Sequence, residues 1–199
     1  MKTIDIKENT ILYINPDDSE SVTYNIIKDI KLLVFDYNID TSKTIEINMN
    51  CEHAELEYHY SSINTDNNSF KISIIHNKPN TYSNIYNHVI NTSNNNFILD
   101  VTSKVNKECY KCICNQDNQI INLNNGNGKI LPNLLIDNYD IQSSHSAYIG
   151  TFKKEELYYL MSRGISEKRS INLLMENFLI NNGNRNEKIV EEYVGDING

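Results

Sequence analysis

Between Thr10 and Ile141 the chain alternates short runs of β-branched and aromatic residues with corners of Asn, Asp and Ser. The runs are Ile11–Ile14, Val22–Ile27, Lys31–Phe35, Thr44–Met49, Ala54–Tyr58, Lys71–Ile74, Phe97–Val101, Tyr110–Cys114 and Gln119–Leu123. Val, Ile and Tyr suit a pleated, half-buried surface. In 44–49, 54–58 and 71–74 polar and apolar side chains alternate with period two, which turns one face inward and one outward. The corners fall at 17–19, 64–69, 91–96 and 124–128, where Asn, Asp, Ser and Gly supply backbone geometries that strands do not use. Many short strands at fairly even spacing leave three architectures: a sandwich, a barrel or a β-helix. Asn-rich corners favour the β-helix, because Asn side chains stacked from coil to coil hydrogen-bond along the stack.

After Gly150 the period changes. Lys153 to Arg163 reads as a helix with Leu157, Leu160 and Met161 on one side. Gly164 is placed to end it in the left-handed conformation. Ser166 is a good N-cap for a second helix, with Glu167 near its positive end. Ile171, Leu174, Met175 and Phe178 then form an i, i+3, i+4, i+7 stripe, which Asn181-Asn182-Gly183 ends. The first helix starts poorly: Lys153 stands at its N-cap, a loss of about 1 kcal/mol relative to Asp or Ser. The expected organisation is a β core over 1–150, a helical pair over 151–183 and a flexible tail rich in Glu and Asn over 184–199.

The 199 residues carry a net charge of −8, and the basic pairs Lys153-Lys154 and Lys168-Arg169 are isolated. Such a chain repels nucleic-acid phosphates, so no nucleic-acid partner is expected. No apolar run reaches the length of a membrane span, and the N-terminus MKTIDIKENT has no apolar signal region. The expectation is a cytoplasmic protein, not bound to membrane, whose Cys51, Cys109, Cys112 and Cys114 are reduced. No G-x-x-x-x-G-K-[ST], G-x-S-x-G or H-E-x-x-H pattern occurs, so ATP hydrolysis, serine hydrolysis and zinc proteolysis have no motif here.

Three groups of residues could carry chemistry. Cys109, Cys112 and Cys114 put three thiols within one short stretch and could hold iron–sulfur or zinc, though C-x-x-C-x-C is an incomplete ligand set. On a strand Lys111 prefers solvent, which turns Tyr110, Cys112 and Cys114 inward, and Cys109 the other way unless the chain bends. Read blandly, inward cysteines are small core fillers. Cys51, His53, Glu55, Glu57 and His59 would share one strand face and could bind a divalent metal, but such a row is more often a solvated face. His145, in Ser143-Ser144-His145-Ser146-Ala147, looks buried where the strands give way to the helices, and is either a turn histidine or a metal ligand.

The segment Tyr158-Tyr159-Leu160-Met161-Ser162-Arg163-Gly164-Ile165 resembles the Phe-Tyr-Leu-x-Ser-Arg-Gly-Ile pattern of the SufB/SufD family of iron–sulfur cluster assembly subunits. Ser144-His145-Ser146-Ala147 is similar to the family's SufD-type Ser-His-Gly-Ala and lacks the second Glu of the SufB-type Glu-His-Glu-Ala. Gln116-x-Asn118 resembles part of its Gln-x-Asn-x-Asn motif. The resemblance implies a mainly β chain: a right-handed parallel β-helix followed by a C-terminal helical pair. It implies a dimer-interface role for His145 beside a transient iron–sulfur cluster, and docking of a SufC-like ATPase by Tyr158, Tyr159, Leu160, Arg163 and Gly164. The second subunit would be SufB-like, or a second copy of this chain. SufB-type chains place a cysteine six residues before the proline matching Pro132; here that position is Gly126. A SufD-like, non-catalytic scaffold, shorter than its relatives and without their N-terminal helical region, is therefore expected. The alternatives are a self-sufficient homodimer, a carbohydrate-acting β-helix protein and a purely structural subunit.

Overall fold

The computed structural model describes residues 1–16, 20–92 and 94–180. The 17–19 corner, the stop at Asn181-Asn182-Gly183 and the 184–199 tail lie outside the described residues. Twelve strands precede two helices among the residues described: β1 Lys2–Ile6, β2 Thr10–Ile14, β3 Val22–Ile26, β4 Lys31–Ile39, β5 Lys43–Met49, β6 Glu55–Asn64, β7 Asn68–His76, β8 Tyr82–Asn91, β9 Asn96–Val105, β10 Cys112–Asn122, β11 Asn127–Ile136, β12 Ile141–Gly150, α1 Lys154–Ser162 and α2 Glu167–Leu179. Odd strands form one parallel sheet in the order β1-β3-β5-β7-β9-β11, and even strands a second in the order β2-β4-β6-β8-β10-β12. Successive strands switch sheets, so each odd–even pair closes one coil of a flattened parallel β-solenoid.

The coils grow along the chain. Asp5 and Asn25, side by side on neighbouring rungs, are 20 residues apart; Asn87 and Asn118, near the other end, are 31 apart. Strands lengthen in step, from 5 residues in β1 to 11 in β10. Asn ladders join the rungs. Asn48 donates to Asn25, and Asn25 to Asp5. At the corners Asn106 donates to Asn77, which donates to Asn50, and Asn127 donates to Asn96. These polar ladders run along the outside and the corners of the stack, and they account for the composition of the corners.

The space between the sheets holds the main core, in which Tyr24, Leu32, Val34, Ile45, Ile47, Leu56, Tyr58, Phe70, Ile72, Phe97 and Leu99 are buried. Tyr60 stacks on Phe70 with ring centroids 3.7 Å apart. One ion pair is sealed inside: Lys43 Nζ sits 2.9 Å from Asp36 Oδ1, both side chains almost wholly buried, and the Tyr58 hydroxyl donates to Asp36 Oδ2 at 2.5 Å. Two charges taken out of water persist only because each satisfies the other and Tyr58 fills a remaining acceptor site.

Several strands exceed what the sequence pattern indicates. β4 and β6 run on past Phe35 and Tyr58, while the runs Tyr110–Cys114 and Gln119–Leu123 contribute their parts 112–114 and 119–122 to the single strand β10, Cys112–Asn122. Strand β8 shows no apolar alternation at all. Its inward residues include Ser83, Asn87 and Asn91, all buried; they hydrogen-bond to neighbouring polar groups instead of packing as hydrocarbon.

Helix α2 closes the outer face of the even sheet. Met175 and Leu179, with Ile171 and Phe178 alongside, pack on Phe35, Tyr37, Ile63, Ile90 and Ile121. The sheet also satisfies the helix's last carbonyls: Ser61 Oγ donates to Leu179 O at 2.8 Å and His88 Nδ1 to Phe178 O at 2.8 Å. Ser166 caps α2 through Arg169 N–H. Helix α1 packs against α2 and buries none of its own residues. It ends in a Schellman turn: Gly164, at φ +86°, donates to Met161 O, and Ile165 donates to Leu160 O.

Removing one partner of the buried pair should be costly. Lys43→Met is expected to lose about 3–5 kcal/mol in urea unfolding, because Asp36 is left charged and enclosed, whereas Lys43→Met with Asp36→Leu should lose clearly less. His76 supplies a pH handle. It is buried between Thr81 Oγ at 2.7 Å and Ser83 Oγ at 2.9 Å, and burial lowers its pKa from 6.5 to about 4. The unfolded chain then takes up a proton at His76 below pH 6.5 that the folded chain refuses until about pH 4, so stability present above pH 6.5 is lost as pH falls across that window. His76→Gln should flatten the slope of unfolding free energy against pH between those limits.

Candidate functional site

The C-terminal end of the solenoid brings together most residues singled out by the sequence. Among the described residues, strands β11 and β12 are the last rungs of their sheets, and each has one backbone edge, ten residues long, that pairs with no other described strand. The terminal coil also exposes Leu135, Tyr139, Tyr148 and Ile149. A long, apolar, uncapped edge is a template for pairing with another chain. Leu135 and Tyr139 were not marked by sequence; the run Leu134-Leu135-Ile136, apolar on both faces of a terminal strand, is the signal that carries them.

His145 lies in the middle of β12, opposite Gln116 of β10. It looks buried in sequence but is exposed, because no further rung covers the last strand among the described residues. Its neighbours fix the strand: Ser144 Oγ donates to Asn115 Oδ1 at 2.7 Å and Ser146 Oγ to Asp117 Oδ1 at 2.5 Å. These bonds fix the strand on either side of His145, whose side chain is exposed at the end of the stack.

The three cysteines lie one coil inside that edge. Cys109, Cys112 and Cys114 are all buried, packed with Val105, Ile136 and Ile141. Tyr110 is exposed, not inward as the alternation suggests. Lys111, at φ +53°, bends the chain just before β10 and so brings Cys109 to the same side as Cys112 and Cys114. Burial and the neighbouring Cys112 raise the Cys109 pKa, and the same causes push Cys114 up to about 11. Both thiols are therefore protonated at neutral pH, while a metal ligand must be a thiolate. Cys112 Sγ lies 3.2 Å from Thr81 Oγ, which in turn meets His76 Nδ1. Among the described residues no three His, Cys, Asp or Glu side chains converge as metal ligands do.

The row from Cys51 to His59 is not one strand face. Cys51 and His53 sit in a turn, with His53 at φ +60°, and β6 begins at Glu55. Only Glu55, Glu57 and His59 share a face, opposite the buried Leu56 and Tyr58.

In the helical pair, Tyr158 and Tyr159 are 61% and 59% exposed, Leu160 is half-buried, and the Arg163 guanidinium lies 5.3 Å from the Tyr159 ring centroid. Two exposed tyrosines and a stacked arginine make a rigid patch of the kind that protein partners engage. Among the described residues no helix is long and apolar enough to cross a membrane.

The family described as "SUF system FeS cluster assembly, SufBD core domain" matches residues 34–178, from the second rung of the even sheet through α2. The chain belongs to that SufBD family. Its curated relatives include the "Iron-sulfur cluster assembly protein SufD" of Bacillus subtilis (strain 168), 30% identical over 112 residues that make up 56% of this chain and 26% of the relative. They also include the "Iron-sulfur cluster assembly SufBD family protein PH1385" of Pyrococcus horikoshii, 47% identical over 45 residues, 23% of this chain and 10% of that protein. The aligned part thus spans about a quarter of the SufD relative and about a tenth of the second. The match covers the solenoid from β4 onward, its last coil and the helical pair as far as Phe178.

Gly126, the position the sequence resemblance matches to a SufB-type cysteine, is closed to a side chain: a Cβ there would lie 2.6 Å from Asn91 O. Gly126→Cys should therefore cost about 1–3 kcal/mol in urea unfolding, with Gly126→Ala changing stability in the same direction. A cysteine accepted without loss would show that this corner moves freely.

Proposed function

We propose that this chain is a SufD-like scaffold subunit of a SUF-type iron–sulfur cluster assembly complex. Membership in the SufBD family supports the assembly role; the SufD-like assignment rests on Ser144-His145-Ser146-Ala147 and on Gly126 in place of a cysteine. The proposed division is a solenoid scaffold over 1–150, a docking piece over 151–183 and a tail over 184–199. The observation that carries the reading is the helical pair: Tyr158–Ile165 keeps its tyrosines and Arg163 exposed while α2 clamps it to the solenoid. A SufC-like ATPase docks there, through Tyr158, Tyr159, Leu160, Arg163 and the Gly164 turn.

The open edge of β11 and β12 is the surface for a SufB-like subunit, or for a second copy of this chain, and His145 faces that junction. A transient iron–sulfur cluster is the cargo, with His145 as nitrogen ligand and the partner supplying thiolate. Cys109, Cys112 and Cys114 join it only if an opening of the last coil exposes and deprotonates them. The chain catalyses no reaction itself; ATP hydrolysis belongs to the docked partner, and the complex works in the cytoplasm.

The test is an anaerobic pull-down with a SufC-like ATPase and a SufB-like subunit, with iron and sulfide assayed in the eluate. The ATPase should be retained by the native chain and lost, by about tenfold or more in affinity, with Tyr159→Ala and Leu160→Ala, changes on a helix that buries none of its residues. Iron in the eluate should fall with His145→Ala. Retention of the ATPase by both helix variants would refute the docking surface.

A further inference from the structure

Cys109-Tyr110-Lys111-Cys112 is a C-x-x-C sequence folded into a corner of the solenoid. Lys107, Glu108, Tyr110 and Lys111 are exposed around it, while Cys109 and Cys112 turn inward and are 1% and 0% exposed. Both join one apolar cluster with Val105, Ile136 and Ile141. On an extended strand residues three apart point to opposite faces. Lys111, left-handed at φ +53°, reverses that and puts both thiols on one side. A left-handed lysine persists only where its surroundings hold it. Here the backbone is pinned from both neighbouring coils: Asn80 N–H donates to Tyr110 O at 2.9 Å, and Lys111 N–H donates to Asp140 O at 2.5 Å.

The same corner selects which thiols can pair. Cys112 Sγ is 3.7 Å from Tyr110 O, folded back over the loop that begins at Cys109. After burial, the charge of Cys112 is the next cause that raises the Cys109 pKa, so the two sulfurs are neighbours. Cys112 and Cys114 also share a face, but they lie two residues apart within β10, which sets their Cα atoms about 7 Å apart with parallel side chains. A disulfide needs Cβ atoms about 3.5–4.5 Å apart, so that pair cannot bridge while the strand holds. Cys51 packs elsewhere, against the main core. A third metal-ligating side chain does not converge on the pair among the described residues.

We propose that Cys109 and Cys112 are a reversible dithiol–disulfide pair, oxidised by low-molecular-weight disulfides and reduced by small thiols. Cys109, flanked by exposed residues, reacts first when the corner opens. Its thiolate attacks one sulfur of the small disulfide, and one small thiolate leaves. The Cys112 thiolate then attacks the Cys109 sulfur of the mixed disulfide, and the second small thiolate leaves. The two protein thiols give up two electrons and two protons, and the external disulfide becomes two thiols. Thr81 loses its contact with the Cys112 sulfur and keeps its bonds to Lys78 O and His76. The bond closes a short ring across the corner that leads into β10 and restrains its opening. It also withdraws two of the three clustered thiols from iron or sulfide, a consequence that rests on the assembly role proposed above; the disulfide itself does not.

The probe is oxidised glutathione, added to the full native chain, followed by alkylation of the remaining thiols, trypsin digestion and mass spectrometry. Trypsin cuts after Lys107, Lys111 and Lys129, so the bond appears as peptide 108–111 joined to peptide 112–129, and fragmentation assigns the joined cysteine. The link to Cys112 is expected, is retained in Cys114→Ser, and is reversed by dithiothreitol. Cys112→Ser should instead accumulate glutathione on Cys109. In the oxidised chain the amides of Asn80 and Lys111 should exchange with deuterium at least about threefold more slowly than in the reduced chain. The proposal is overturned by a native chain that does not react, by a product that stops as glutathione on Cys109, by a link to Cys114, by a link that forms only in urea, or by unchanged amide exchange. The ATPase pull-down is a separate measurement, so failure of one leaves the other standing.

Discussion

Within each sheet the backbone of every described rung pairs only with the adjacent rungs, and that constraint organises the molecule. In a parallel stack a side chain always meets the residue at the same position one coil away. Identical polar residues can then satisfy one another indefinitely, and the Asn ladders at the corners do this. Rings can stack indefinitely too, as on the outer face of the even sheet. The last rung is bound to be different, because it satisfies nothing beyond itself. The proposed cluster and dimer surface sits there because that is where the repeating arrangement leaves backbone and side chains unanswered.

The same logic explains the role of α2. A solenoid with an apolar outer patch, here Phe35, Tyr37, Ile63, Ile90 and Ile121, needs a cover. The helix supplies hydrocarbon, and the sheet returns hydrogen bonds to the helix's final carbonyls through Ser61 and His88. Attachment is thus both apolar and directional. Helix α1 buries nothing of its own and is carried by α2, so its tyrosines are presented on a rigid mount without being consumed by it.

How much of this was legible in sequence depended on what filled the interior. Where the inward residues are hydrocarbon, as in Thr44–Met49 or Lys71–Ile74, alternation marked the strand correctly. In β8 it failed, since Ser83, Asn87 and Asn91 point inward and are satisfied by neighbouring polar groups. The coil repeat was hidden because it drifts from 20 to 31 residues along the chain, so no fixed period exists to find. Gly164 and Ser166 were readable as caps because capping is local chemistry. The exposure of His145 was not readable, because it depends on β12 being the last rung. The inward turn of Cys109 was not readable either, because it depends on a single left-handed residue, Lys111, of a type that rarely adopts that conformation.

The thiols and His145 differ in a way that orders their roles. His145 is exposed at the edge, where the proposed partner would meet it. Cys114 sits one coil in, its thiol held protonated by burial, and Cys112 lies on a hydrogen-bonded path through Thr81 to His76. For these sulfurs to handle iron or sulfide, β11 and β12 must separate from the rungs beneath them. That motion breaks the ladder at its weakest point, where each strand has only one neighbour. A partner that pairs with the free edge opposes it, and a partner that pulls on the helical pair just after Gly150 favours it. In this family member the cysteines are therefore best understood as groups whose chemistry depends on the state of the last coil, while His145 belongs to the resting surface.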